Sequence, residues 1–183
     1  VQTCALPIYV TVTSAGTGGV AIGGTTAPTG AVTVTESATG TVNAQGGTSV
    51  TVTANGGNVT VGGTTNASGA VSVTQSGSSG TVTVYGGKGA TVTTSGGNIT
   101  VGDATLGLAG GAVSITNNSV AANQDAVTVV GGAAVTLTTT ADSGAINVGV
   151  NGALTTAGTA LTNASSSPTG NVTIVNKSIA NGT

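Results

Sequence analysis

Valine alternates with threonine or another small polar residue along most of this chain. Between residues 50 and 85 the alternation falls into four stretches, near 50–53, 59–61, 70–74 and 81–85, with glycine pairs between them. A period of two predicts β-strands with one apolar and one polar face, and the glycine pairs predict tight turns. The predicted inward residues are Val50, Val52, Val59, Val61, Val71, Val73, Val82 and Val84. The predicted outward residues are Thr51, Thr53, Thr60, Ser72, Thr81 and Thr83.

The same pattern returns about every 40 residues. Val50-Thr51-Val52-Thr53, which precedes Gly56-Gly57, corresponds to Thr91-Val92-Thr93, which precedes Gly96-Gly97. A fixed period of this length is typical of repeat architectures. We divide the chain into units at about 10–49, 50–89, 90–134 and 135–183, which form a single repeat domain over 9–183. We expect this domain to be a fragment of a longer protein.

The side chains available to fill a core favour one β architecture over the others. The chain has no Trp or Phe and two Tyr, so the wide core of a β-sandwich would be hard to fill. A β-solenoid has a narrow interior that stacked Val residues fill, and glycine suits its corners. We therefore predict an all-β parallel β-helix with coils of about 20 residues, roughly nine coils in total and on the order of 40 Å long.

Charge is almost absent from the sequence. Charged residues make up 3% of the chain, and the net charge is −2. Such a chain lacks the basic surface that nucleic acids require, so we expect no nucleic-acid partner. Its apolar runs are too short for a membrane span.

Two segments resemble known sequences. Gly56-Gly57-Asn58-Val59-Thr60-Val61 and Gly96-Gly97-Asn98-Ile99-Thr100-Val101 resemble the strand repeats of bacterial surface adhesins of the filamentous-haemagglutinin and autotransporter-passenger type. This resemblance implies a right-handed β-helix at a cell surface or in an extracellular fibre.

The first eight residues, Val1 to Ile8, resemble the translation of a common sequencing adapter. We therefore treat residues 1–8 as an artefact and expect them to make no repeat-like contacts. Cys4, the single cysteine, then carries no information about redox compartment or metal binding.

Residues suited to catalysis or metal binding are sparse. The chain has no His, and Asp103, Asp125 and Asp142 share no common spacing. Asp125 beside Gln124 and Asn123 is the one local group of oxygen donors, and a solvated loop explains it better than a calcium site does. We therefore predict that the protein is not an enzyme, with no catalytic, cofactor-binding or metal-binding residues and no cofactor.

Glycosylation is a further possibility that the sequence raises. Asn-x-Ser/Thr triplets begin at Asn58, Asn66, Asn98, Asn117, Asn163, Asn171, Asn176 and Asn181. An Asn in a turn before a Val-Thr strand also produces this triplet without any glycan.

Threonine pairs separated by one residue suggest two different functions. They occur at Thr11/Thr13, Thr51/Thr53, Thr81/Thr83, Thr91/Thr93 and Thr136/Thr138. Ice-binding solenoids carry such a pair on every coil of one face, but the spacing here is uneven. Outward Thr is also expected in any strand, because Thr has high strand propensity.

Our first hypothesis is a structural rod or fibre segment of an extracellular or cell-surface adhesin that associates with its own kind, end to end or laterally, and contacts surface glycans. Low charge favours such association, because charged side chains normally protect strand edges. The alternative is a module that binds carbohydrate or ice through outward Thr and Asn. A single regular Thr face would favour binding, and dispersed Thr would favour a scaffold.

Overall fold

A computed structural model gives the fold over residues 8–107, 109–119, 125–139, 143–149 and 168–177. The strands of these residues form two parallel sheets that face each other, an eight-stranded first wall and a seven-stranded second wall. The first wall contains β1 (Val10–Ser14), β3 (Val32–Glu36), β5 (Val50–Ala54), β7 (Ala70–Gln75), β9 (Gly89–Thr94), β11 (Val113–Asn117), β13 (Val135–Thr139) and β15 (Val172–Asn176). The second wall contains β2 (Val20–Ile22), β4 (Val42–Ala44), β6 (Val59–Val61), β8 (Val82–Val84), β10 (Ile99–Val101), β12 (Asp125–Val129) and β14 (Ser143–Val148).

The order of strands within each wall defines a solenoid. Odd-numbered strands pair only with the next odd-numbered strand, and even-numbered strands pair with even-numbered ones, always in parallel. The chain therefore crosses from one wall to the other and back in every turn. This confirms the predicted parallel β-helix. The hand of the coil stays a prediction.

The strands predicted in the second unit are confirmed. The stretches near 50–53, 59–61, 70–74 and 81–85 correspond to β5, β6, β7 and β8. All eight Val residues predicted to face inward are buried, and all six polar residues predicted to face outward are exposed or half-buried. Alternation alone therefore identified both faces of these strands.

The number of turns differs from the prediction. Equivalent positions in successive first-wall strands lie 18 to 23 residues apart in each of the six steps between Val10 and Val135. The last step, from Val135 to Val172, spans 37 residues. The estimate of nine coils was wrong because it assumed equal coils of about 20 residues. Within the described residues, seven steps at about 4.8 Å give a rod about 34 Å long.

The 40-residue period arises because long and short turns alternate. The turns that lead from the second wall to the first span 23–31, 45–49, 62–69, 85–88, 102–112 and 130–134. A long turn is followed by a short one each time, so the sequence repeats every two turns of the solenoid. The strands that begin at 50, 89 and 135 are each the first strand of a new two-turn repeat of the solenoid.

The core is a thin column of stacked aliphatic side chains between the walls. First-wall strands contribute two inward positions each, such as Val50 and Val52, and second-wall strands contribute two more, such as Val59 and Val61. In the register of the strands each residue lies above its counterpart in the next turn. Close packing of β-branched side chains fills this narrow space without any large aromatic residue.

A third inward position at the end of each first-wall strand carries polar residues at several turns. Glu36 precedes a five-residue turn and Gln75 a six-residue turn, whereas the small Ala54 precedes a four-residue turn. Ala38 N–H donates to Glu36 Oε1 at 2.9 Å, and Gln75 Nε2 donates to the carbonyl oxygens of Gly57 and Ser79 at 2.9 and 3.4 Å. These buried side chains therefore hold the larger corners in shape.

Candidate functional site

Two outward columns of hydroxyl residues run along the first wall. They lie at the second and fourth positions of the strand register, between the buried positions. One column is Thr11, Thr33, Thr51, Ser72, Thr91, Ser114, Thr136 and Thr173. The other column is Thr13, Thr35, Thr53, Thr74, Thr93, Thr116, Thr138 and Val175. Apart from Val175 in the last strand, every position carries a hydroxyl. We call these two columns the threonine face.

The threonine face is regular even though its pairs are unevenly spaced in sequence. The turns vary in length, but every first-wall strand pairs in the same register with the next. Uneven spacing therefore does not scatter the pairs, and the inference drawn from it was wrong. The pair Thr81/Thr83 belongs to the second wall, because Thr83 lies in β8.

Sequence analysis missed four pairs of the face. Thr33/Thr35, Ser72/Thr74, Ser114/Thr116 and Thr173/Val175 were not recognised as equivalent to the other pairs. The signal that identifies them is the aliphatic residue before each member, as in Val32-Thr33-Val34-Thr35 and Val113-Ser114-Ile115-Thr116. Aligning strands by their buried residues, rather than by threonine spacing, would have found the complete face.

The hydroxyls of the threonine face have no hydrogen-bond partner among the described residues. Within the part of the chain that the structure describes, none of them forms a hydrogen bond to another protein group. Threonine hydroxyls that do bond lie elsewhere, as Thr94 and Thr139 do on the inner side, where they donate to Asn117 and Asn176. The face therefore presents free donors and acceptors to whatever lies outside it.

Small residues border the threonine face on both sides. We call each first-wall strand, together with its two outward residues, a rung. From the second rung to the seventh, the residue just before the first inward position of the strand is small: Ala31, Ser49, Ala70, Gly89, Ala112 and Ala134. On the other side, Asn55 Nδ2 donates to the Ser37 carbonyl at 3.1 Å and Ser76 Oγ donates to Asn55 Oδ1 at 3.0 Å. None of these described bordering residues has a long side chain, so the face is open to a flat partner.

The second wall is narrower and more varied on its outer side. Five of its strands contain three residues with a single outward position between two buried ones, as in β6 and β8. The register gives, at this position along the wall, Ala21, Asn43, Thr60, Thr83, Thr100, Thr128 and the buried Asn147. Neighbouring Asn side chains are used internally, because Asn58 Oδ1 accepts from Thr81 N–H and Asn98 Oδ1 accepts from Ala126 N–H. The outward column of this wall carries hydroxyls on four consecutive strands, at Thr60, Thr83, Thr100 and Thr128, whereas the threonine face has two columns that are each longer.

The charged residues that the structure describes do not belong to the outward columns of the threonine face. Glu36 is buried, Lys88 is in a turn, and Lys177 follows β15. Asp103 lies in the turn after β10, where Thr105 and Leu106 N–H donate to its Oδ1 at 2.7 and 2.8 Å. These bonds, the one to Leu106 first, lower the pKa of the Asp103 carboxyl below its ordinary value.

The acidic residues considered for catalysis are not brought together. Asp103 lies in the turn 102–112 and Asp125 in β12, where Ser119 Oγ donates to its carboxylate. Asp142, Gln124 and Asn123 lie outside the described residues. Among the residues that the structure describes, no group of three or more His, Cys, Asp or Glu side chains is placed to hold a metal ion.

Several candidate glycosylation asparagines are engaged within the fold. Asn58 and Asn98 accept backbone hydrogen bonds, and Asn117 is buried. Asn66 uses both ends of its amide, because Oδ1 accepts from Gly63 N–H and Nδ2 donates to the Leu106 carbonyl at 2.7 Å. Asn171 and Asn176 are exposed, and Thr139 donates to Asn176. Asn163 and Asn181 lie outside the described residues.

Open recesses occur where a short turn lies between longer ones. One recess of about 500 Å³ is lined by 55–58 with Thr39 and 77–80 on either side, and another of about 380 Å³ is lined by 46–48 with neighbouring turns. Their linings contain no charged or aromatic side chain. They offer scattered hydrogen bonds but no anchor for a small ligand.

Ile8 is the member of the proposed artefact segment that the structure describes. Its carbonyl accepts from Gly30 N–H at 3.0 Å, much as Gly30 accepts from Thr48 N–H at 2.9 Å one turn later. Ile8 therefore makes a repeat-like backbone contact, contrary to the expectation for residues 1–8. Residues 1–7, including Cys4, lie outside the described residues.

The fold and the face together define the class of this protein as a two-walled parallel β-solenoid, a structural repeat protein with one wall of ordered hydroxyls. No protein-family model, no curated protein and no solved structure matches the chain. Across the described residues, no helix is long and apolar enough to cross a membrane.

Proposed function

We propose that this protein is an ice-binding β-solenoid whose threonine face adsorbs to the crystal. The observation that carries the proposal is the two-column array of hydroxyls, continuous over the seven strands from β1 to β13, with no internal hydrogen bonds in the described residues. A regular array on one wall was the feature expected to favour binding over a scaffold.

The spacing of the array supports ice as the partner. Neighbouring strands in a sheet lie about 4.8 Å apart, so hydroxyls recur at this distance along the rod. In ice, two water oxygens that are both hydrogen-bonded to the same tetrahedral water, each at about 2.75 Å, are about 4.5 Å apart. Each rung can therefore meet one row of the water lattice.

The chemistry of threonine suits a surface made of water. Each side chain offers a hydroxyl that donates and accepts, and a methyl group that gains by leaving liquid water. The stiff χ1 torsion of Thr limits the entropy lost when the side chain is held in place. A charged residue on the face would lose hydration on contact, and the two columns contain none.

Crystalline polysaccharide is the competing partner for the same face. Ligand sites of this kind commonly rely on apolar and aromatic side chains for much of their contact area. The two described tyrosines are Tyr9, immediately before β1, and Tyr85, in the turn after β8. Neither belongs to the two columns, so a sugar chain would have no aromatic surface along the middle of the face.

The test is thermal hysteresis and inhibition of ice recrystallisation by the purified chain, with binding to cellulose and chitin particles measured in parallel. We expect a gap between melting and freezing points, and retention on neither polysaccharide. Retention on a polysaccharide without any thermal hysteresis would contradict ice binding and support a carbohydrate module.

A second candidate is the rod or fibre segment of an extracellular adhesin, with lateral or end-to-end self-association and surface glycans as partners. The observation that favours it is the scarcity of charge, at 3% of residues, which removes the usual barrier to strand association. Sedimentation velocity and electron microscopy test it. Filaments formed by a protein that shows no thermal hysteresis would support this role instead. Both candidates place the protein outside the cell and involve no catalytic step.

A further inference from the structure

We propose that the threonine face is selective for the prism planes of ice and does not adsorb to the basal plane. This inference rests on the proposed function and specifies the surface that the same site recognises. It follows from the second dimension of the array, the distance between the two columns.

The two columns are separated by two residues along each strand, as Thr51 and Thr53 are. A rise of 3.2–3.4 Å per residue places the columns about 6.4–6.8 Å apart. Because parallel strands pair without offset here, each rung stands directly above the next. The array is therefore close to a rectangle of about 4.8 by 6.6 Å.

The ice lattice has two rectangular surface repeats, and both have the spacing of about 4.5 Å as one side. Hexagonal ice consists of puckered layers, and with a hydrogen-bond length of about 2.75 Å the repeat along the layer normal is about 7.3 Å. Within a layer, the repeat perpendicular to the row is about 7.8 Å. The first rectangle lies on prism planes, and the second lies on the basal plane.

The column spacing is nearer to the prism rectangle. It falls short of 7.3 Å by roughly 0.7 Å and of 7.8 Å by roughly 1.2 Å. With two columns the mismatch along the strand arises once and does not accumulate. A small tilt of each side chain can take up the lesser mismatch, whereas the greater one exceeds a third of a hydrogen-bond length.

Mismatch does accumulate along the rod, and this identifies the rungs that matter most. The difference of about 0.3 Å per step amounts to about 1 Å at either end when the middle rungs are aligned. We therefore expect the central residues, such as Thr53, Thr74 and Thr93, to contribute more than Thr13 or Thr138. The central rungs are also those bordered on both sides by small residues.

The experiment grows a single ice crystal hemisphere in a dilute solution of protein carrying a fluorescent dye on its amines. Lys88, in the turn before β9 and outside the two columns, provides one such site. We expect fluorescence over the prism-plane patches and a dark basal pole. The matched control is labelled Thr93→Glu, which places a charge at a central rung without adding an amine for the dye, and which is expected to leave every plane dark.

Three outcomes are informative. Fluorescence confined to prism planes supports the inference. Fluorescence that includes the basal pole would overturn the plane selectivity and leave ice binding intact. A hemisphere that wild-type protein leaves dark on all planes would overturn both the selectivity and the proposed function.

Discussion

The two walls of the solenoid enclose one core but differ on their outer sides. Both use parallel strands, and both fill the core mainly with Val and Ile. The first wall carries hydroxyl residues at nearly every outward position of its register, whereas the second carries Ala, Asn and Thr. Strand propensity would favour Thr equally on both walls. The first wall carries two long hydroxyl columns, whereas the second wall carries one shorter column.

The walls also differ in what their outward side chains do. Asn58 and Asn98 next to the second wall satisfy backbone groups of the following turn, so they stabilise the coil. Thr51 and Thr53 on the first wall have no such bonds within the described residues. We infer that the second wall serves the fold and the first wall serves contact. The following predictions test that division.

The largest effect is expected where the two walls are alike. Val52 in β5 and Val61 in β6 are 1% and 0% exposed, so Val52→Asp and Val61→Asp each bury an unpaired charge. Both should lower the free energy of unfolding by several kcal/mol, about 3 or more, in urea titrations followed by circular dichroism. Wild-type stability in either variant would show that its wall does not face the core.

A smaller effect is expected at the corners that keep the walls in register. Gly97 has φ of +85°, and an added Cβ would overlap the Gly80 carbonyl oxygen of the previous turn. Gly97→Ala should therefore cost about 1–3 kcal/mol. The control is Gly18→Ala, since a Cβ there meets nothing within 4 Å and its φ is not positive. Equal melting temperatures for the two variants would contradict the close stacking of corners.

The next effect separates the roles of the walls. Asn58→Ala removes the acceptor for Thr81 N–H and should cost about 0.5–1.5 kcal/mol. Thr51→Val removes a hydroxyl without a partner and keeps strand propensity, so stability should change by less than about 0.5 kcal/mol. The two are compared by thermal unfolding. A larger cost for Thr51→Val would mean that the first-wall hydroxyls support the fold.

The smallest effect on stability is expected at Thr60, which is half-buried on the second wall. Thr60→Val should change the free energy of unfolding by less than about 0.5 kcal/mol and increase aggregation, because a polar outward group becomes apolar. Light scattering at increasing concentration measures the second effect. Unchanged solubility would indicate that the Thr60 hydroxyl does not face solvent.

Local patterns in the sequence were sufficient for most of the fold. Alternation identified the strands and the buried Val residues of the second unit, and the absence of large aromatics indicated a narrow core. Both inferences depend on neighbouring residues and on composition, which a sequence displays directly.

The threonine face was harder to predict because it depends on register between turns. Turns such as 62–69 and 85–88 differ in length, and sequence spacing cannot show that the strands after them realign. The buried polar residues were also unforeseen. Glu36 and Gln75 occupy inward positions that the alternation assigns to apolar side chains, since the larger corners after them need hydrogen bonds.

The most direct test of the central claim compares one charge placed on each wall within the same turn. Thr53→Lys modifies the threonine face and Thr60→Lys modifies the second wall, and each replaces an outward Thr. We expect wild type and Thr60→Lys to be enriched in slowly growing ice, whereas Thr53→Lys should remain in the liquid at equal folded content. Equal partitioning of the two variants, or exclusion of Thr60→Lys alone, would contradict the assignment of the first wall as the contact surface.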